Sequence, residues 1–258
     1  DYPLFAKAAV HLPQATRQRA LFEWLARWPD DIRTGPEDHP KWHYLLHVVH
    51  GRTWAWPIRN GAANAGFAYN FAALSSACAR SADRAKAIGW LIHIVGDVQQ
   101  PLHGGHQMTA AFPNTDRAGE LAFVRRSGGG EATNLHQYWD KIIERGATLP
   151  PGEPDWATAI ATLWPRERLP ELQRRGTVQD RFDSWVIESG ELARLVAYQG
   201  TFRDATADAA KAPVVTAREN AVALALAQRR IATGGYRIAD TLAAAMKAAA
   251  ADRRTCPR

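Results

Sequence analysis

The stretch Ala85-Lys86-Ala87-Ile88-Gly89-Trp90-Leu91-Ile92-His93-Ile94-Val95-Gly96-Asp97-Val98-Gln99-Gln100-Pro101-Leu102-His103 decides how the chain is read. Ala87, Trp90, Leu91, Ile94 and Val95 recur at spacings of three and four, the signature of a helix with one buried face. His93 and Asp97 stand four apart, so on that helix they share a face one turn from each other. An imidazole nitrogen and a carboxylate oxygen so placed can converge on one cation. Pro101 ends or bends the helix, and a bend there swings His103 back toward the same cavity. Polar groups in so apolar a run are costly unless paired or metal-bound. Taken alone, the segment also describes a buried His–Asp hydrogen bond that orients a loop.

Outward from this stretch the chain keeps reading as helix. Residues 14–28 carry Leu21, Phe22, Leu25 and Trp28 at helical spacing. Asn134 to Glu144 is short and amphipathic, Trp185 to Tyr198 has a broad apolar stripe, and 217–247 is an Ala-rich helix interrupted at Gly234-Gly235. Ala and Leu favour helix by propensity. One place reads as strand, Glu120 to Arg126, and the following Ser127-Gly128-Gly129-Gly130 makes it a hairpin or flap. The Pro-rich segments 149–154 and 165–170 read as loops inside the fold. The expectation is one mainly α domain spanning 1–258.

With 46% hydrophobic and 22% charged residues among 258, disorder and fibrous repeats are excluded. No run of about 18 apolar residues is present to span a bilayer. Asp1-Tyr2-Pro3-Leu4-Phe5 has no basic n-region, so no signal peptide is expected in this chain. The formal charge of +6 leans toward an anionic partner and is weak evidence alone. Cys78 and Cys256 allow one disulfide or two free thiols, and the tail around Cys256 reads as frayed.

All nine histidines fall at or before 136, which places the chemistry in the first half and makes the second half scaffold. His136 and Asp140 repeat the four-residue spacing of His93 and Asp97. Asp30 and Arg33, in Trp28-Pro29-Asp30-Asp31-Ile32-Arg33, read as an ion pair at a helix end or as a ligand beside a phosphate contact made through a planar fork. His47 and His50 follow His43 at helical spacing and read as supporting or surface histidines.

The string Trp28-Pro29-Asp30-Asp31-Ile32-Arg33, Trp42-His43-Tyr44, His93-x3-Asp97-x5-His103 and Asn134-Leu135-His136-x3-Asp140 closely resembles the zinc-dependent single-strand-specific nucleases of the fungal S-one/P-one type. Trp185-x2-Glu188-Ser189 and Ala227-x6-Gly234-x2-Arg237-Ile238-Ala239 resemble that family's later helices. The resemblance implies a helical phospholipase C/nuclease-like fold with a short β-hairpin and a multinuclear zinc cleft. It implies that Asp30, His43, His93 and Asp97 hold one zinc, and that His103, His136 and Asp140 hold a second. Asp97 bridges toward a third, and Asp30, Arg33 and Asp97 form the catalytic set. Tyr44, Arg33 and Asp116 contact substrate, with Tyr44 stacking a base. Zinc phospholipases C share the fold but use Glu four residues after the last ligand His; Asp140 points to the nuclease branch.

The implied activity is endonucleolytic cleavage of single-stranded RNA and DNA to 5′-phosphonucleotides, with 3′-nucleotidase activity beside it. Alternatives are a phospholipase C-like or broad phosphoesterase, and a metal-stabilised binding protein with little catalysis. Three departures bear on this. The family's third zinc uses an N-terminal Trp and a nearby His, whereas here the first Trp is Trp24 and His11 lies too close to Asp30. That N-terminal ligand segment is expected to be absent, leaving two to three zinc ions. The carboxylates Asp30, Asp97 and Asp140 leave +3 against three Zn²⁺ and +1 against two, and the smaller charge stabilises an anionic transition state less. Leu46 stands where the family often has a base-reading Asp or Asn, and its Asp-Arg-Gly-Gly-Asn loop is here Asp116-Arg117-Ala118-Gly119-Glu120. No obligate protein partner is expected. A secreted or periplasmic location follows from the resemblance.

Overall fold

The structure is a computed structural model and describes residues 13–50, 53–252 and Cys256. The expectations for the opening residues, His11 and the His50 side chain lie outside what is described. Eight α-helices run through the described residues: α1 Gln14–Asp31, α2 Ala63–Ser75, α3 Ser81–Asp97, α4 Leu135–Asp140, α5 Ile142–Gly146, α6 Trp156–Leu163, α7 Val178–Leu192 and α8 Ala217–Ala251. The strands are short: β1 Leu45–His50, β2 Thr53–Gly61, β3 Gly105–Gln107, β4 Phe123–Arg125 and β5 Ala132–Asn134. The fold is mainly α. No helix is long and apolar enough to cross a membrane among the described residues.

Helix ends are set by local chemistry. Thr216 and Glu219 form a reciprocal capping box on α8, as Thr177 and Asp180 do on α7. Asn134 caps α4 by accepting from the Gln137 N–H. The helical stretch Asn134 to Glu144 is therefore divided: Asn134 ends β5, and the chain breaks at Lys141 between α4 and α5. α7 ends at Leu192, and a π turn over Ala193–Ala197 completes the Trp185-to-Tyr198 stripe. The loop after 165 carries two 3₁₀ turns.

Three sequence expectations are corrected. α8 runs uninterrupted through Gly234 and Gly235. Each glycine costs only about 1 kcal/mol against Ala, and Gly234 admits a close neighbour: a Cβ there would meet Gln99 Cγ at 2.8 Å. The histidines at 43, 47 and 50 do not share a helix: His43 ends a 3₁₀ turn over Pro40–His43, and 45–50 is β1. It pairs antiparallel with β2, with a register shift between Leu46 and Val48, and parallel with β3. The tail at Cys256 is tied down by a disulfide to Cys78. The expected hairpin is present as β4–β5, with Gly128, Gly129 and Gly130 between the strands, each at positive φ.

Two apolar cores flank the site. One joins Trp28, Phe67, Trp90, Val98, Phe182 and Trp185 from α1, α2, α3 and α7. The other gathers Leu46, Leu102, Leu135, Tyr138, Trp139 and Phe202 around the hairpin and α4. The segment from Asp97 to His103 crosses from the first core, at Val98, to the second, at Leu102. Its side chains are thereby fixed by packing on both sides.

Candidate metal centre and cleft

Four side chains from three separate stretches of the chain meet at the C-terminal ends of α1 and α3. His43 Nδ1 lies 2.8 Å from His93 Nε2. Asp97 Oδ2 lies 3.2 Å from His43 Nδ1 and 3.0 Å from His93 Nε2. Asp30 Oδ1 completes the group at 3.6 Å from His43 and 3.8 Å from His93. Donors about 2.0–2.2 Å from a tetrahedral zinc stand about 3.3–3.6 Å apart; the separations here, from 2.8 to 3.8 Å, straddle that spacing, so a small adjustment would let the donors surround one ion. Aromatic rings of Trp90 and His39 back the group, with His43 5.4 Å from Trp90 edge-on.

A second group, His103, His136 and Asp140, has donor atoms within 4.8 Å of one another. The His103 and His136 rings are 4.9 Å apart, and His136 Nε2 is 3.6 Å from Asp140 Oδ2. Asp97 Oδ2 also lies 3.7 Å from His103 Nδ1, which links the two groups. The seven expected ligand residues are thus drawn together in one region.

The outer contacts of the histidines decide which ring nitrogen faces inward. Nδ1–H of His93 donates to the Ala26 carbonyl at 2.8 Å, that of His103 to the His43 carbonyl at 2.7 Å, and that of His136 to the Ala118 carbonyl at 3.0 Å. Each ring is thereby held with Nδ1 turned outward and Nε2 toward the cavity, the usual support for a metal-ligating imidazole. To reach His136, the loop takes left-handed backbone at Arg117 (φ 53°) and Ala118 (φ 56°) before Gly119. Such conformations cost non-glycine residues of order 1 kcal/mol or more and concentrate at functional sites. The glycine of the family's loop would adopt the Ala118 conformation freely.

Charges are tuned by the same contacts. Burial opposes ionisation of Asp97, but His93 and His103, with hydrogen bonds from His43 and His93, hold its carboxyl far below the usual range. Burial disfavours the His93 imidazolium, yet Asp97 and, more weakly, Asp30 raise its pKa to about 9. Burial and the neighbouring His103 push His136 down, toward the neutral form that offers a lone pair.

Beside these groups opens a cleft of about 310 Å³ lined by Arg33, Tyr44, Leu46, Asn60, Thr115 and Arg117, among others. Arg33 lies at its rim, 47% exposed, and its guanidinium donates to Asp30 Oδ1 at 2.8 Å. The half-buried Tyr44 ring packs against Gly61, where a Cβ would meet Tyr44 Cδ2 at 2.5 Å, and the φ of +106° suits glycine alone. Asp116, expected at the substrate, is instead 0% exposed and does not face the cleft. Its Oδ1 accepts from the Gln107 N–H, and burial raises its pKa although the nearby Tyr198 hydroxyl and the 107 and 119 backbone amides oppose the shift. Its role is to shape the 116–120 loop from within.

Sequence reading missed two polar groups. Asn60 faces the cleft from β2, directly opposite Leu46 in the strand register. Gln100 takes the Leu102 N–H on Oε1 and donates Nε2–H to Asp140 Oδ1 at 3.0 Å, which orients that carboxylate. Only the β1–β2 pairing, invisible in the helical reading of 43–50, could have pointed to Asn60.

A mainly α fold that gathers two nitrogen–oxygen donor clusters at one cleft defines a metal-dependent hydrolase centre. The chain matches the family described as S1/P1 Nuclease over residues 4–247, and it belongs to that family. A comparison with curated proteins yields no match. The protein is accordingly a nuclease, a hydrolase acting on phosphodiester bonds, and its substrate is nucleic acid. The family is in general zinc-dependent, and the donor set fits that ion: imidazole nitrogens and carboxylate oxygens, with no thiolate.

Proposed function

We propose that the chain is a single domain that cleaves single-stranded RNA and DNA to 5′-phosphonucleotides and also acts as a 3′-nucleotidase. The observation that carries this reading is the adjacency of two donor clusters, joined through Asp97, to a cleft with an arginine at its rim and an aromatic ring in its wall. Asp30, His43, His93 and Asp97 would hold one zinc, and His103, His136 and Asp140 a second. Bound there, zinc supplies an activated water near neutral pH and neutralises developing charge.

The chain's own groups do the rest. Arg33 reaches a phosphate oxygen from the rim, its fork matched to phosphate geometry. Its present contact with Asp30 keeps the guanidinium within reach of the cation site. Tyr44 offers a face for an unstacked base. Asn60, with donor and acceptor on one amide, stands where it can meet a base edge, the task that Leu46 cannot perform. A cleft of about 310 Å³ is at the small end of ligand pockets; it suits one base and its phosphate, not a stacked duplex. The Cys78–Cys256 disulfide supports an extracellular or periplasmic location.

The test is a parallel assay of single-stranded DNA, single-stranded RNA, duplex DNA, a 3′-nucleotide and phosphatidylcholine, with and without chelator. Zinc-restorable cleavage of the single strands and the 3′-nucleotide is expected. Turnover of phosphatidylcholine without strand cleavage would replace the reading by a phospholipase. Bound zinc with no turnover of any substrate would replace it by a binding protein.

A further inference from the structure

The segment that carries Asp97 and His103 is gripped from outside the site by residues of the second half of the chain. Ser189 Oγ on α7 donates to the Val98 carbonyl. Arg230 on α8 donates Nε–H to the Gln99 carbonyl at 2.9 Å, and its Nη2 reaches the Val98 carbonyl at 3.3 Å and Ser189 Oγ at 2.7 Å. Arg237, one helical face further along, donates to Gln99 Oε1 at 2.8 Å. Both guanidiniums pair with the single carboxylate of Glu188. At the far end of the segment, Gly104 abuts the same helix: a Cβ there would meet Gly190 N at 2.6 Å and Ser189 Cβ at 2.8 Å.

Two buried arginines sharing one glutamate are a poor source of stability. Removing such charges from water costs several kcal/mol each, and an apolar replacement of equal volume is often no less stable. Arg230 is 3% and Arg237 1% exposed. What the arrangement does provide is direction. Its donors fall on the carbonyls of residues 98 and 99, which a helix terminus leaves without intrahelical partners, immediately after Asp97.

We propose that Glu188, Ser189 and Arg230, with Arg237 behind them, are positioning residues that fix the 98–104 segment and so set the separation of the cation group at Asp97 from that at His103. This deepens the proposed function and rests on its reading of the two donor groups as zinc sites. The clamp holds Asp97 by the backbone that follows it and His103 by the backbone on both sides. Loosening it lets the two groups drift, and a ligand misplaced by a few tenths of an ångström weakens both metal binding and alignment of the scissile phosphate.

The experiment measures zinc stoichiometry and affinity by competition with a chromophoric chelator, together with kcat and KM on single-stranded DNA. The variants are Ser189→Ala, Arg230→Met, Arg230→Lys and Ile160→Ala. Ile160 on α6 is buried with Leu169 and Ala232 in a separate apolar cluster that contains none of the clamp's residues, and it serves as the structural control. Ser189→Ala and Arg230→Met are expected to weaken at least one zinc about tenfold or more and to lower kcat with KM little changed. Arg230→Lys should recover part of both. Ile160→Ala should lower the melting temperature through the cavity it leaves and keep zinc affinity as in the wild type. Should Arg230→Met fail to fold, Ser189→Ala, which only deletes a hydroxyl, decides alone. Unchanged zinc affinities in folded Ser189→Ala, or an equal loss in Ile160→Ala, would overturn the clamp. A wild type that binds no zinc would overturn the metal reading instead, so the two failures are distinct.

Discussion

Asp97→Asn isolates the charge that joins the two donor groups. Asn keeps the shape and one oxygen but removes the negative charge, which lies 3.0 Å from His93 Nε2 and 3.2 Å from His43 Nδ1. Closed four-donor zinc sites bind with about 10–16 kcal/mol, so one donor of four accounts for about 2.5–4 kcal/mol. The substitution should therefore weaken zinc by about a hundred- to a thousandfold. A second effect has its own signature. The wild-type His93 pKa of about 9 means that the metal-free protein carries a proton there at pH 7. Zinc must displace it, so affinity should rise about tenfold per pH unit from 7 to 9, about a hundredfold in all. Burial is the largest influence on His93 and acts downward. With the carboxylate gone, the largest upward influence is lost and burial acts against only the Ala26 carbonyl and Asp30, so this slope should shrink. Stability follows the same sign. A raised pKa stabilises the metal-free fold fully below about 6.5, and that contribution is lost as pH rises through about 9. Calorimetric zinc titrations in buffers of different ionisation enthalpy, with chelator competition at pH 7, 8 and 9, read both effects. An undiminished pH slope in Asp97→Asn would refute the account of His93.

Arg33→Ala removes charge-assisted contacts worth about 1.5–3 kcal/mol each and should cut kcat/KM about 10- to 100-fold on a dinucleotide; Arg33→Lys recovers only part because the fork is lost. Unchanged kinetics would place Arg33 outside the reaction. Reduction of the Cys78–Cys256 bond releases a loop with a sequence separation of 178, worth about 5 kcal/mol in the chain-entropy account; thermal melting with and without reductant should show a large drop. The Glu219 carboxylate is held at about 2 because hydrogen bonds from Thr201 and Thr216 outweigh its burial. Its contribution is present above about 4.5 and is lost as pH falls through about 2. Glu219→Gln should flatten that acid limb in urea midpoints measured from pH 5 to 2, and a limb of unchanged steepness would assign it to other groups.

The two candidate donor groups could be read from the sequence because their information is local. His93 with Asp97, and His136 with Asp140, need only helical periodicity, and both pairs lie where that periodicity is strong. Asp30 and Arg33 sit at a helix end marked by Pro29. What stayed hidden depends on partners far along the chain. β3 is three residues long and pairs in parallel with β1 across 58 positions, His47 with Gly105, and nothing local announces that pairing. The helical spacing of His43, His47 and His50 was therefore misleading: His47 is buried in β1, donating from Nδ1 to the Gly104 carbonyl at 3.1 Å. Asp116 was misplaced for a similar reason. A polar loop motif reads as exposed, whereas the surrounding fold supplies enough donors to bury it. The second half, read as scaffold, proves to hold the arginines that reach the loop behind Asp97.

The donor clusters also show why a cation, rather than protons alone, suits this cavity. His43 Nδ1 and His93 Nε2 face each other at 2.8 Å while two carboxylates lie within 3.8 Å. One shared proton can satisfy the two nitrogens but leaves Asp30 and Asp97 with excess negative charge. The C-terminal ends of α1 and α3 add their partial negative charge at the same place. A dication balances Asp30 and Asp97, whereas a second beside Asp140 leaves one positive charge over. With Arg33 at the rim, that remainder makes the loaded cleft net positive where a phosphodiester would lie. With ions held as proposed, the clusters would differ in kind: the first would be neutralised by Asp30 and Asp97, and the second would keep charge for the substrate. Asp140→Asn should raise that surplus and loosen the second ion first, leaving the first bound, and stepwise zinc titration of the variant reads the order.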